Sequence, residues 1–65
     1  MPYKNQRITH GHMQRITRRV WRLFEQWEKT QLEQDYNVYI NERDNVQRII
    51  DASGNLAWKK EFRLP

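Results

Sequence analysis

Hydrophobic residues recur every three or four positions through the first half of the chain, between positions 13 and 27. The members of this stripe are Met13, Ile16, Val20, Leu23, Phe24 and Trp27. At about 100° of rotation per residue, all six would lie within about 60° of Val20 on an α-helix. The spacing therefore predicts an amphipathic helix over residues 11–35, with the stripe against the core and Thr9 as its N-cap.

From Tyr36 onward the hydrophobic pattern changes its period. Residues 36–41 alternate, apart from Tyr39, between hydrophobic and polar side chains, and two further hydrophobic segments follow at 46–50 and 56–64. The intervening segments 42–45 and 51–55 have the composition of turns, and Gly54 suits a positive φ. The expected fold class is α+β, with one long N-terminal helix packed on a three-stranded antiparallel β-meander formed by residues 36–64. The sheet face expected to meet the helix carries Val38, Ile40, Leu56, Trp58 and Phe62.

Residues 44–52 allow a second interpretation, which is a short helix in place of the middle strand. Val46, Ile49 and Ile50 have the spacing of one helix face, and Asp44 could serve as the N-cap. Gly54 would then be the residue just past the C-terminal end of that helix. The sequence leaves both interpretations open.

Length and cysteine content limit what kind of domain this chain can form. Its 65 residues are enough for one small domain, in which residues 1–10 are expected to be a flexible basic arm. There is no cysteine, so disulfides and thiolate metal sites are excluded, and a cytoplasmic location is expected. His10 and His12 could in principle share a metal, but no further Cys, His or carboxylate cluster lies near them in sequence. Neither a cofactor nor a metal is expected.

Positive charge is concentrated toward the N-terminus, although the whole chain has a formal net charge of only +4. Six lysines and arginines and no acidic residue occur between positions 1 and 23, whereas the rest of the chain carries six cations and eight acids. On the predicted helix, one row of cations projects away from the hydrophobic stripe. This cationic face consists of Arg15, Arg18, Arg19, Arg22 and Lys29, and Lys4 and Arg7 on the arm would extend it.

This asymmetry favours a non-catalytic protein that binds an anionic partner, with nucleic acid (DNA or RNA) as the leading hypothesis. The alternative is a regulator or inhibitor, such as a phage or mobile-element protein, that docks on an acidic protein surface. A third interpretation is that the cations only keep the surface soluble. Contacts with a protein partner, or with a second copy in a homodimer, are expected at Trp21, Leu32, Tyr39 and Ile49.

Catalysis and membrane insertion have little support in the sequence. Ser53 is the only serine, and no histidine is near it in sequence. The two glycines, Gly11 and Gly54, are too few for a phosphate-binding glycine loop. These observations give no basis for expecting an enzyme. No hydrophobic segment approaches the length of a membrane span, so a membrane protein is not expected either.

Overall fold

The first helix, α1, spans His10–Thr30 in the computed structural model, which describes residues 8–65. It begins one residue earlier than predicted, and Thr9 is its N-cap as predicted, since the Thr9 hydroxyl accepts a hydrogen bond of 3.1 Å from the His12 amide. Met13 and Val20 from the predicted stripe are fully buried, and Ile16, Leu23 and Phe24 pack against them. The prediction that α1 faces the core with this stripe is therefore confirmed.

α1 ends five residues earlier than predicted, at a two-residue turn. Gln31 adopts a left-handed conformation with φ of 56°, and its amide donates to the Trp27 carbonyl at 2.7 Å. The Thr30 hydroxyl then donates to the Asp35 carboxylate at 2.5 Å and accepts from the Leu32 amide at 3.2 Å. These local hydrogen bonds stabilise a sharp reversal of the chain, which the helical periodicity alone did not predict.

A second helix, α2, spans Glu33–Ser53 and replaces the first two predicted strands. The described residues are 83% helical and contain no strand, so the predicted α+β fold with a three-stranded meander is wrong. The alternation of Tyr36, Val38 and Ile40 misled the prediction, because Val38 is 49% exposed and Tyr39 is the buried residue. The core residues of α2 are Tyr39, Val46 and Ile50, whose spacings of seven and four are those of one helix face.

The third helix, α3, spans Leu56–Glu61 and replaces the third predicted strand. Asn55 caps it by accepting a hydrogen bond of 3.1 Å from the Trp58 amide. Gly54 has a positive φ of 67°, as predicted, but it terminates α2 instead of forming a β-turn. The alternative interpretation of residues 44–52 as helical was therefore closer to the structure. Leu56, expected in the sheet core, is 72% exposed.

α1 and α2 form an antiparallel hairpin, because contacts between them lie progressively further from the turn. The successive pairs are Thr30–Asp35, Trp27–Tyr36, Phe24–Tyr39 and Arg19–Glu42. α3 packs against this hairpin, and the segment after it, residues 62–65, returns along one side. Phe62 joins the core, which consists of Met13, Val20, Tyr39, Val46, Ile50 and Phe62.

Three hydrogen bonds fix the C-terminal segment to the hairpin. The Trp21 indole nitrogen Nε1 donates to the main-chain oxygen of Arg63 at 2.9 Å. The Tyr39 hydroxyl and the Arg43 Nε both donate to the main-chain oxygen of Pro65, each at 2.8 Å. Residues 62–65 therefore cover one side of the hairpin.

Candidate nucleic-acid interface

The cationic face predicted from the sequence is present on α1. Its members are all exposed, namely Arg15, Arg18, Arg19, Arg22 and Lys29. They point outward because the hydrophobic stripe of the same helix occupies its inner side. The predicted set of helical cations is therefore assembled on one accessible surface.

Three arginines of this face have no acidic partner within the described part of the chain. Among residues 8–65, no carboxylate lies within 4.0 Å of the side-chain nitrogens of Arg15, Arg18 or Arg22. Arg19 differs, since its Nε lies 3.8 Å from the Glu42 carboxylate on α2. That distance is near the limit for an ion pair, and the Arg19 side chain is mostly exposed, so the pair is weak. The face thus has at least three guanidinium groups available for an external anion.

A shallow, open depression of about 410 Å³ lies on the same surface. Its lining residues are His12, Arg15, Ile16, Arg18, Arg19 and Arg22. Ile16 is half-buried and packs against the core, so it anchors this surface to the folded part of the domain. Four of the six lining residues are arginines, whose guanidinium groups suit phosphate or carboxylate oxygens.

The acidic residues are concentrated on the neighbouring helix. α1 carries five cations and only two acids, Glu25 and Glu28, whereas α2 carries five acids and only two cations, Arg43 and Arg48. The acids of α2 are Glu33, Asp35, Glu42, Asp44 and Asp51. Because the cationic face of α1 points away from the helix interface, its field is only partly offset by these carboxylates.

Three lysines and arginines of the predicted anion site remain, namely Lys4, Arg7 and Lys29. Lys4 and Arg7 lie outside the described residues. Lys29 is in the last turn of α1, where a positive charge also interacts favourably with the helix dipole. Lys29 therefore extends the cationic face toward the turn, on the same side as Arg15 and Arg22.

The residues predicted to contact a protein partner do not form one surface. Trp21 is 41% exposed and Leu32 is 49% exposed at the turn, but Tyr39 is only 6% exposed. Tyr39 belongs to the core, because helical spacing directs it toward Phe24 and Trp27 and not toward solvent. Ile49 is half-buried against the core. Only Trp21 and Leu32 remain accessible as predicted.

Sequence reasoning missed Arg63, which the fold brings beside α1. The hydrogen bond from Trp21 places the Arg63 backbone next to this helix, although the two residues are 42 positions apart. The Arg63 side chain is exposed. No local pattern could have predicted this neighbour, since the contact depends on how the C-terminal segment returns along the hairpin.

His10 contacts α3, since its Nε2 lies 2.7 Å from the Glu61 carboxylate. Within residues 8–65, no three metal-ligating side chains cluster together. In the same range, no helix has both the length and the hydrophobicity needed to cross a membrane.

The side chains of the cationic face are guanidinium and ammonium donors, which neutralise and orient anionic oxygens. Comparison with known proteins adds no relative: no family model, no curated protein and no solved structure matches this chain.

Proposed function

We propose that this protein is a small non-catalytic binding protein that contacts nucleic-acid phosphates through the cationic face of α1. The observation that carries the proposal is the exposure of Arg15, Arg18 and Arg22 without a carboxylate within 4.0 Å among residues 8–65. An unpaired guanidinium can exchange its counterions for a phosphate without first losing an internal ion pair. Its planar fork also matches two phosphate oxygens at once.

The spacing of the cations supports a linear anionic partner. Arg15, Arg22 and Lys29 are separated by seven residues each, which corresponds to steps of about 10.5 Å along a helix axis. Arg18 lies between the first two. A row about 21 Å long suits a chain of phosphates better than one small anion.

The salt dependence of binding tests the proposal. A fluorescently labelled oligonucleotide, single-stranded in one series and duplex in the other, is titrated with protein at several salt concentrations. Binding weakens as salt rises, so a plot of log K against log salt has a negative slope. Each lost phosphate contact makes this slope shallower by about 0.7 to 0.9. Arg18→Ala combined with Arg22→Ala is therefore expected to make the slope shallower by about 1.4 to 1.8.

The matched control removes two exposed cations from other elements, Arg48→Ala on α2 with Lys59→Ala on α3. It has the same net charge as the α1 double variant, and its slope is expected to stay closer to that of the wild type. Equal losses in the two double variants would mean that only net charge matters, which contradicts a face on α1. Absence of wild-type binding at low salt would reject the proposal altogether.

A second candidate function is a regulator or inhibitor that docks on an acidic protein surface through arginine and aromatic residues. Exposed Leu32 and Tyr36, 49% and 40% accessible beside the α1–α2 turn, favour it. Burial of Tyr39 removes one of its expected anchors. Capture of partners from a lysate, with and without nuclease, separates the two functions: a partner that survives nuclease favours docking on protein.

A further inference from the structure

Trp21 combines an exposed ring with a fixed orientation. Its indole is 41% exposed, yet Nε1 is hydrogen-bonded to the main-chain oxygen of Arg63 at 2.9 Å. On its inner side the ring meets Phe24 edge-on, with centroids 6.2 Å apart and planes at 84°. Held at its polar atom and at its inner edge, the ring has little rotamer freedom to lose when a ligand binds.

Two arginines lie near this ring, Arg18 on α1 and Arg63 on the C-terminal segment. Arg18 precedes Trp21 by three residues and therefore occupies the adjoining surface of α1, one turn toward the N-terminus. The Arg63 main chain lies beside the ring on the C-terminal segment, and both arginine side chains are exposed. Glu25 lies one turn further along α1, so the cationic face adjoins the ring on its N-terminal side, through Arg18.

We infer that Trp21 is a stacking platform for an unpaired base, and that the preferred ligand is single-stranded nucleic acid. The inference rests on the proposed function, because the phosphates on either side of the stacked base would be held by the cationic face and by Arg63. An aromatic ring beside a cationic track is the arrangement by which proteins hold single strands without reading their sequence. In a duplex the base faces are stacked on each other and are not accessible to Trp21.

The test compares a labelled oligothymidylate with an abasic oligomer of the same length and charge, and adds an oligouridylate to distinguish RNA from DNA. The wild-type protein is expected to bind the base-containing strands about 5- to 150-fold more tightly than the abasic strand. Trp21→Leu should remove this preference, and Trp21→Phe should retain most of it. The salt slope measured on the abasic strand should be the same for all three proteins.

Two further variants test whether Arg63 contacts a phosphate and whether the loss of any exposed hydrophobic side chain changes the preference for bases. Arg63→Ala keeps the main-chain oxygen that holds the Trp21 indole and should make the salt slope shallower by about 0.7. Leu32→Ala removes an exposed hydrophobic side chain outside the cationic face and should leave the preference for bases unchanged.

The outcomes separate the inference from the proposed function. Equal wild-type affinity for base-containing and abasic strands would overturn the stacking role while leaving phosphate binding intact, and this comparison requires no variant to fold. A preference that persists in a folded Trp21→Leu protein would likewise overturn it. Failure of the wild-type protein to bind any of the strands would reject both.

Discussion

α1 and α2 have the same length, 21 residues each, and pack side by side, yet they differ in charge and in how they meet the core. α1 has a net charge of +3 from five cations and two acids, and α2 has −3 from five acids and two cations. The inner side of α1 is a continuous hydrophobic stripe. The inner side of α2 includes half-buried Glu42, Arg43 and Gln47 among its hydrophobic residues.

This difference reflects what each helix contacts. The stripe of α1 packs mainly against hydrophobic side chains, so its polar residues are free to face outward. α2 also holds the turn and the C-terminal segment through polar groups, with Asp35 bonded to Thr30 and Arg43 bonded to Pro65. One helix therefore presents charge to solvent, while the other uses part of its polar content to stabilise the fold.

The largest expected effect comes from proline in the middle of α2. Asp44→Pro removes a backbone donor and introduces a steric clash, which costs about 3 kcal/mol or more inside a helix. A proline would be tolerated in the turn that the sequence predicted at residues 42–45. Chemical denaturation followed by circular dichroism measures the loss, and Asp44→Ala, at the same exposed position, is the control. Similar midpoints for the two variants would mean that α2 is not a continuous helix.

The same substitution at two valines of α2 tests which side of this helix faces the core. Val46 is 1% exposed and Val38 is 49% exposed. Val46→Ala should therefore cost about 1.5 to 3 kcal/mol, and Val38→Ala should stay within about 0.5 kcal/mol of the wild type. The predicted strand placed Val38 in the core, so a larger loss at Val38 than at Val46 would favour the sheet. Urea unfolding of both variants measures the difference.

The left-handed residues that follow α1 and α2 should differ in what a substitution costs. Both residues there are left-handed, Gln31 with φ of 56° and Gly54 with φ of 67°. Gly54→Ala meets no atom within 4 Å, so its cost of about 1 kcal/mol would be conformational only. Gln31→Gly relieves the same strain but removes the hydrogen bonds that the side-chain Nε2 donates to the Glu28 and Trp27 carbonyls, so it should stay within about 0.5 kcal/mol of the wild type. Thermal melts in which Gln31→Gly destabilises the protein as much as Gly54→Ala does would contradict these backbone assignments.

The smallest expected effect concerns the ion pair that joins the two helices. Arg19 and Glu42 are 3.8 Å apart, with side chains that are 65% and 30% exposed. A double-mutant cycle with alanine at both positions should give a coupling energy below about 1 kcal/mol. A larger coupling would mean that Arg19 is committed to the fold, and it would then have to be removed from the cationic face.

The sequence predicted α1 far better than α2, for reasons that can be traced to particular residues. The hydrophobic stripe from Met13 to Trp27 is uninterrupted, so its helical period can be recognised in the sequence. In α2 the polar residues Glu42 and Arg43 fall between Tyr39 and Val46 on the inner side, which hides the same period. The accidental alternation of Tyr36, Val38 and Ile40 then suggested a strand.

The cationic face could be predicted because it depends only on the periodicity of α1. The turn at Gln31 could not, since a left-handed glutamine has no strong local signal. Nor could the position of Arg63 beside Trp21, which requires knowing how residues 62–65 return along the hairpin. Local spacing thus identified the charged surface of one helix, and long-range packing determined which residues border it.

We expect the partner to bind α1 and not α2. NMR spectroscopy distinguishes these helices, because amide chemical shifts can be followed residue by residue while isotopically labelled protein is titrated with a single-stranded oligonucleotide. The largest shift changes should occur at residues 15–22 and at Arg63, with small changes at the exposed Asp44, Asn45 and Arg48 of α2. Changes centred on α2, or no saturable change at low salt, would contradict it.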